Sequence, residues 1–148
     1  KLGDNIFRFL SFSSSFIFTT ALPPAILAGA LASVEHLKTS EIERARAHQN
    51  AKYSKAKLEE NGLPYLQGES HIVPLIVGDA KCCKAVTDVL LNQHDIYVQP
   101  INYPTVPKGT ERMRLTATSA HKKEDIDHMV DVLCNLYHEH SLLKKKAV

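Results

Sequence analysis

Cysteine is scarce in this sequence, and its spacing suits neither a disulfide framework nor a metal site. The 148 residues include three cysteines, with Cys82 and Cys83 side by side and Cys134 far downstream. Structural zinc sites and bridged small domains need separated pairs of cysteines, which this arrangement does not provide. We therefore expect reduced thiols in an intracellular compartment.

The sequence also lacks a strong charge bias and a clean hydrophobic run. Its formal net charge of +2 gives no reason to expect a nucleic-acid partner. Residues 16–34 are fairly apolar but include Thr19, Thr20 and a double proline, whereas a membrane-spanning helix needs about 20 predominantly apolar residues. A membrane span is not expected, and Asp4 and the same prolines argue against a signal peptide cleaved near residue 32.

Familiar catalytic motifs are missing as well. The sequence contains no G-x-S-x-G, H-E-x-x-H, phosphate-loop or G-x-G-x-x-G pattern. His138 and His140 are two residues apart on a predicted helix, so their side chains diverge and cannot share a metal ion. Pattern alone therefore assigns no catalytic residue and no metal ligand.

What the chain does contain is a regular succession of elements from residue 70 onward. The pattern predicts strands at 70–78, 96–101 and 112–117 and helices at 80–93 and 123–143. This order is typical of an α/β chain built as a small α+β layer, with helices packed on one face of a sheet. Pro74 predicts an edge strand or a bulge, because proline cannot donate a ladder hydrogen bond.

The ends of the predicted helices carry recognisable signals. Ser40 is expected to cap a polar, solvated helix over 40–61, and Gly62 to end it. Asp79 is expected to cap the helix that starts at residue 80. His121 is a candidate cap for the last helix.

The first 40 residues are less regular. Residues 1–15 receive no assignment, and residues 16–20 predict a short strand or extended segment. Thr19 and Thr20 stand just before a helix over 24–38, where hydroxyl groups either cap the helix or bind a phosphate. That helix is apolar nearly all round, which predicts burial, with a subunit interface as one possibility.

The most informative stretch is the predicted strand, loop and strand of residues 98–114. Three prolines fix φ at their positions in the loop, and Gly109 allows a conformation that other residues avoid. The planar guanidinium group of an arginine at the end of such a loop can hold a carboxylate in one orientation. Arg114 lies on the polar face of the last strand. Carboxylate recognition and a salt bridge with Glu111 are the two interpretations that the pattern leaves open.

At this loop the sequence resembles a known family. Residues 97–114, which read YVQPINYPTVPKGTERMR, resemble the pyridoxal-phosphate-dependent α-oxoamine synthases, and among them the 5-aminolevulinate synthases. Residues 16–25, and residues 70–74 together with Gly78 and Asp79, agree with this resemblance. Sister enzymes share the P-T-V-P-x-G motif and the following arginine, so 2-amino-3-ketobutyrate CoA ligase and 8-amino-7-oxononanoate synthase are the alternatives.

The resemblance implies a reaction and a set of site residues. It implies a fold-type-I homodimer that uses pyridoxal 5'-phosphate to condense glycine with succinyl-CoA to 5-aminolevulinate, CoA and CO2 in haem biosynthesis. It implies that Arg114 holds the amino-acid carboxylate and that Thr105 lies at the succinyl end of the site. By the same resemblance, Thr19 and Thr20 reach the cofactor phosphate of the neighbouring subunit.

The resemblance also implies that this chain is the C-terminal part of the enzyme. The cofactor lysine of the family lies in a Ser-Lys motif followed by a glycine-rich turn, and nothing here matches it, since Ser54 and Lys55 sit on a polar helix. Residues 1–38 are expected to be the end of the large domain with a connecting helix. Residues 39–148 are expected to be the small domain, with a short, mainly antiparallel sheet.

Two further expectations follow from the resemblance. The fragment alone should be inactive, and a non-catalytic truncated module is the alternative from a different functional class. The compartment would be the cytoplasm in a bacterium or the mitochondrial matrix in a eukaryote.

Overall fold

The structure is a computed structural model that describes residues 2–12 and 22–140. The chain divides into two compact units, Lys1–Ser40 and Glu41–Val148. The first unit contains α1 (Leu2–Phe12) and α2 (Pro24–Thr39). The second contains α3 (Ile42–Glu60), β1 (Ile72–Ile76), α4 (Ala80–His94), β2 (Gln99–Ile101), β3 (Arg112–Thr116) and α5 (Lys123–Glu139).

The first unit is helical where it is described. Helix α1 occupies residues to which the sequence assigned no element, and the strand predicted at 16–20 lies outside the described residues. Helix α2 confirms the helix predicted over 24–38, and it begins at Pro24, where the missing N–H of proline costs nothing. None of the residues of α2 is buried within the chain. Its burial at a subunit interface therefore stays a prediction.

The second unit is built on a three-stranded antiparallel sheet. The strand order is β1-β3-β2, which confirms the prediction of an α+β layer with a short, mainly antiparallel sheet. Strand β1 lies at an edge, as Pro74 predicted. The Pro74 carbonyl accepts the Leu66 N–H at 2.9 Å, so the backbone at Pro74 faces away from β3. Because proline has no backbone N–H, Pro74 cannot donate a hydrogen bond, but at this position its absence removes none of the bonds between β1 and β3.

One face of this sheet forms the core with the three helices of the second unit. Residues alternate between the two faces of β1 and β3, so that every second side chain is buried. These side chains join those from α3, α4 and α5 in one cluster, whose fully buried members include Leu58, Val73, Leu75, Leu90, Met113, Leu133 and Tyr137. The Tyr137 hydroxyl also donates to the Ile76 carbonyl at 2.8 Å, which ties α5 to β1. The other face of the sheet carries Arg114.

The helix ends confirm some sequence signals and correct others. Asp79 caps α4, because its Oδ1 accepts the Cys82 N–H at 2.8 Å. Gly62 follows α3 with φ of +67°, a conformation that favours glycine and ends the helix as predicted. The predicted cap at Ser40 is wrong, because Ser40 instead ends α2 with its N–H bonded to the His36 carbonyl.

The start of α5 also differs from the expectation. The N-terminal cap position is Lys122, whose N–H donates to Oδ2 of Asp125 at 2.8 Å. His121 does not cap the helix. Its Nδ1 accepts the Thr118 N–H at 3.1 Å, which stabilises the turn that precedes α5.

In the part of the chain that the structure describes, no helix combines the length and the apolar character that crossing a membrane requires.

Candidate functional site

A single hairpin presents both predicted substrate residues. Strand β2 ends at Ile101, and β3 returns beside it in the antiparallel direction. Thr105 lies in the connecting loop, and Arg114 lies on β3 opposite Gln99. Both side chains are exposed, and no hydrogen bond joins them.

The connecting loop is built from two consecutive tight turns. The Asn102 carbonyl accepts the Thr105 N–H at 3.0 Å, and the Pro107 carbonyl accepts the Thr110 N–H at 3.1 Å. Gly109 has φ of +85° at the third position of the second turn, where a type II turn requires a positive φ. The loop is therefore as well defined as its prolines and glycine predicted.

Arg114 presents its guanidinium group on the surface of the second unit. It projects from the open face of β3, because its neighbours Met113 and Leu115 are buried in the core. The alternative of a salt bridge with Glu111 is wrong, since the Glu111 side chain is only 4% exposed and accepts the Gly109 N–H instead. Within the described residues, Arg114 has neither a hydrogen bond nor an ion pair. Its planar fork is therefore free to bind a carboxylate.

Arg114 also borders a cavity in the second unit. This cavity has a volume of about 690 Å³ and lies between residues 94–98, the end of β3 and the start of α5. Its apolar wall includes Val73, Val98, Leu115, Ile126 and Met129. Thr105 is not part of its lining, so this cavity does not bring the two predicted substrate residues together.

The sequence analysis did not identify two histidines that lie on the polar rim of the cavity. His94 ends α4 and His128 lies on α5, and their ring centroids are 6.0 Å apart in an edge-to-face arrangement. The two residues are far apart in sequence, and neither belongs to a recognisable motif. Only the packing of α4 beside α5 brings them together, so no local signal could have identified them.

Cys83 and Cys134 behave as structural residues. Cys83 is fully buried, and desolvation by burial raises the pKa of its thiol to about 11. Its Sγ donates to the Arg112 carbonyl at 3.4 Å. Burial also raises the pKa of Cys134. Neither thiol has the lowered pKa that a reactive cysteine requires.

The remaining candidate groups are either engaged elsewhere or outside the described residues. The amine of Lys55 donates to the carbonyls of Gly68 and Ser70 at 2.6 Å each, so it holds this loop and is not offered to a cofactor. Thr19 and Thr20, the predicted phosphate residues, lie outside the described residues. Across residues 2–12 and 22–140, no group of three or more His, Cys, Asp or Glu side chains could hold a metal ion.

Several known proteins with similar sequences are 5-aminolevulinate synthases. The chain is 53% identical over 137 residues to a 5-aminolevulinate synthase of Rhizobium meliloti, a match that covers 93% of this chain and 34% of that protein. It is 50% identical over 125 residues to the mitochondrial 5-aminolevulinate synthase of Schizosaccharomyces pombe, which covers 84% of this chain and 22% of that protein. These matches confirm the resemblance that residues 97–114 indicated.

A solved structure agrees with the fold. The chain is similar to a serine palmitoyltransferase from S. paucimobilis with bound PLP, with a TM-score of 0.76 and 25% identity over 85% of this chain and 32% of that chain. The chain thus spans about a third or less of the length of these proteins. The sequence model described as aminotransferase class I and II matches residues 6–133. Because that match takes in most of both units, the chain belongs to the aminotransferase class I and II family.

Proposed function

We propose that this chain is the C-terminal part of a 5-aminolevulinate synthase, which condenses glycine with succinyl-CoA to 5-aminolevulinate, CoA and CO2 in haem biosynthesis. The observation that carries the proposal is the 53% identity to the Rhizobium meliloti enzyme over 93% of this chain. Residues 1–38 would end the large domain, and residues 39–148 would form the small domain. The compartment would be the cytoplasm in a bacterium or the mitochondrial matrix in a eukaryote.

The cofactor in this proposal is pyridoxal 5'-phosphate, which supplies an electron sink for negative charge that develops on the amino-acid α-carbon. Thr19 and Thr20 would hold its phosphate in the neighbouring subunit of a homodimer. The lysine that attaches the cofactor would lie outside the 148 residues, because the sequence lacks the family's Ser-Lys motif followed by a glycine-rich turn. The amine of Lys55, in the Ser-Lys pair on α3, is engaged with two backbone carbonyls. The chain alone would therefore be inactive.

Arg114 would bind the glycine carboxylate. Its guanidinium lacks a partner among the described residues and projects from a rigid strand instead of a mobile loop. A bidentate contact from such a group fixes the orientation of a small amino acid, which holds its α-carbon in one position for deprotonation. The exposed hydroxyl of Thr105, held between two turns, would donate to the carboxylate of the succinyl group.

A chimera tests this proposal directly. The matched third of the Rhizobium meliloti enzyme is replaced by this chain, and product formation is measured with glycine and succinyl-CoA. We expect the chimera to make 5-aminolevulinate and to support growth of a bacterium that requires that compound. Failure of a folded, dimeric chimera to make 5-aminolevulinate would contradict the proposal and favour the non-catalytic module.

The assigned role of Arg114 predicts a specific kinetic defect in the same chimera. Arg114→Leu should raise the KM for glycine by about 100-fold, the equivalent of losing a charge-assisted pair of hydrogen bonds. The KM for succinyl-CoA should change by less than about threefold, because that substrate does not share the contact. Arg46→Leu, which removes an arginine from an exposed surface of α3, is the matched control. Unchanged saturation by glycine in Arg114→Leu would show that the role is wrong.

Substrate choice separates the proposal from its alternatives. The carbon skeletons of the alternative products, 2-amino-3-ketobutyrate and 8-amino-7-oxononanoate, would require an acetyl and a pimeloyl thioester in place of succinyl-CoA. We expect succinyl-CoA to give the highest kcat/KM of the three thioesters in the chimera. A higher value with either of the others would replace the proposed reaction with the corresponding alternative.

A further inference from the structure

The turn that precedes β3 is stabilised by hydrogen bonds from side chains to which the proposed function assigns no role. In this turn, residues 107–110, the Pro107 carbonyl accepts both the N–H and the hydroxyl of Thr110, at 3.1 Å and 2.7 Å. The turn joins the segment that carries Thr105 to the strand that carries Arg114. Its conformation therefore determines how the two predicted substrate residues are placed relative to each other.

Glu111 braces this turn from the core side. Its Oε2 accepts the Gly109 N–H at 2.8 Å, a donor that the turn itself leaves without a carbonyl partner. The Glu111 backbone carbonyl accepts the N–H groups of Val77 and Gly78, each at 2.9 Å. Because the side chain is only 4% exposed, this residue connects the turn to the segment that follows β1 and cannot swing into solvent.

Arg112 braces the same turn through a different residue. Its Nε donates to the Thr110 carbonyl at 2.9 Å, and its Nη2 donates to the Thr110 hydroxyl at 3.2 Å. Two donors from one planar guanidinium fix the orientation of their acceptor better than a single donor does. Thr110 is thus held to Pro107 on one side and to Arg112 on the other.

From this geometry we infer that Glu111 and Arg112 are positioning residues, which hold the 107–110 turn so that Thr105 meets the acyl thioester while Arg114 holds the amino acid. This inference rests on the proposed function. Neither side chain needs to touch a substrate. Both act through Gly109 and Thr110, so their loss should move Thr105 while Arg114, two residues into a paired strand, stays in place.

The test uses Glu111→Ala and Glu111→Gln in the chimeric enzyme. The alanine variant should raise the KM for succinyl-CoA by about tenfold, whereas the KM for glycine and kcat change by less than about twofold. Glutamine keeps an oxygen that can accept the Gly109 N–H, so it should restore the KM for succinyl-CoA to within about threefold. Glu69→Ala, which removes an exposed carboxylate, serves as the control.

A general loss of structure would not produce this split between the two substrates. Equal changes in both KM values, or a KM for succinyl-CoA that glutamine does not restore, would overturn the inference. Where Glu111→Ala does not fold, Arg112→Leu removes both donors to Thr110 and must show the same split. An Arg112→Leu variant with an unchanged KM for succinyl-CoA would also overturn it.

A second measurement needs no turnover. Hydrogen exchange of a peptide that spans residues 103–113 should be about tenfold faster in Glu111→Ala than in the unmodified chimera, because the Gly109 N–H loses its acceptor. The glutamine variant should retain the slow exchange. If the unmodified chimera makes no 5-aminolevulinate, the proposed function fails, whereas this exchange experiment still tests whether Glu111 holds the turn. Equal exchange in the unmodified and alanine forms would overturn it.

Discussion

Helices α2 and α5 have similar lengths and contrasting surroundings. Helix α5 buries six of its residues, whereas α2 buries none within the chain. The apolar residues of α5 form one stripe at helical spacing, with Val130, Leu133 and Leu136 packed in the core cluster of the same unit. The apolar residues of α2 surround the helix, and Ile26 and Leu31 are 61% and 60% exposed. In this chain, the helix with a single apolar stripe packs against other elements of its own unit, whereas the helix that is apolar on all sides does not.

The aromatic residues provide a way to observe one unit alone. All five tyrosines lie between residues 53 and 137, in the second unit, while all five phenylalanines lie between residues 7 and 18, and tryptophan is absent. Tyrosine fluorescence of the 148-residue chain therefore reports the unfolding of the second unit. The predictions that follow use this signal to test whether stability resides in that unit.

The largest effect should come from removing a core side chain of α5. Leu133 is fully buried, so Leu133→Ala should lower the free energy of unfolding by about 3 kcal/mol through lost transfer energy and a residual cavity. The matched variant in α2, Leu31→Ala, should change it by less than about 0.5 kcal/mol, because that side chain is exposed. Denaturant unfolding followed by tyrosine fluorescence measures both. Comparable losses in the two variants would contradict the contrast between the helices.

Alkaline pH should produce the next largest effect, again in the second unit. Burial raises the pKa of Cys83 from 9.0 to about 11, so between these values the unfolded chain releases a proton that the folded chain retains. The stability associated with the protonated thiol is therefore complete below pH 9 and is lost as the pH rises toward 11. The loss should be about 1.4 kcal/mol at pH 10.

The pH dependence has a matched control in Cys83→Ala. Its unfolding free energy should be flatter than that of the unmodified chain between pH 8.5 and about 10. Burial also raises the pKa of Tyr137 above its ordinary value of 10.0, so both proteins should lose stability at higher pH. Identical slopes below pH 10 would show that Cys83 does not titrate differently in the two states.

The sequence predicted the second unit well, because local pattern and burial agree there. Alternation placed Met113 and Leu115 in the core, and Pro74 placed β1 at an edge. Each of these signals depends on neighbours within a few residues. The helix stripe of α5 is of the same kind, since its apolar residues at i, i+3 and i+4 join the core cluster of the unit.

The sequence failed where the structure depends on distant contacts or on competing local signals. The sequence pattern predicted Ser40 as the N-terminal cap of α3, whereas Ser40 ends α2, because a serine between two helices can end one as readily as it starts the next. It could not show that Glu111 binds Gly109 instead of Arg114, since charge alone favours the salt bridge. The role of Arg114 itself came from resemblance, and the position of Thr19 and Thr20 stays a prediction.

The smallest predicted effect on stability comes from the N-terminal cap positions of α4, in the second unit, and α2, in the first. Asp79 caps α4 through a 2.8 Å bond from the Cys82 N–H, so Asp79→Ala should lower the free energy of unfolding by about 1 kcal/mol. Asp79→Asn should retain most of the stability, because asparagine offers the same acceptor. Pro23 occupies the cap position of α2 without a side-chain cap bond, so Pro23→Ala should leave the tyrosine-monitored transition unchanged. An effect of Pro23→Ala as large as that of Asp79→Ala would mean that α2 contributes to the cooperative unfolding of the second unit, and the contrast between the helices would not hold.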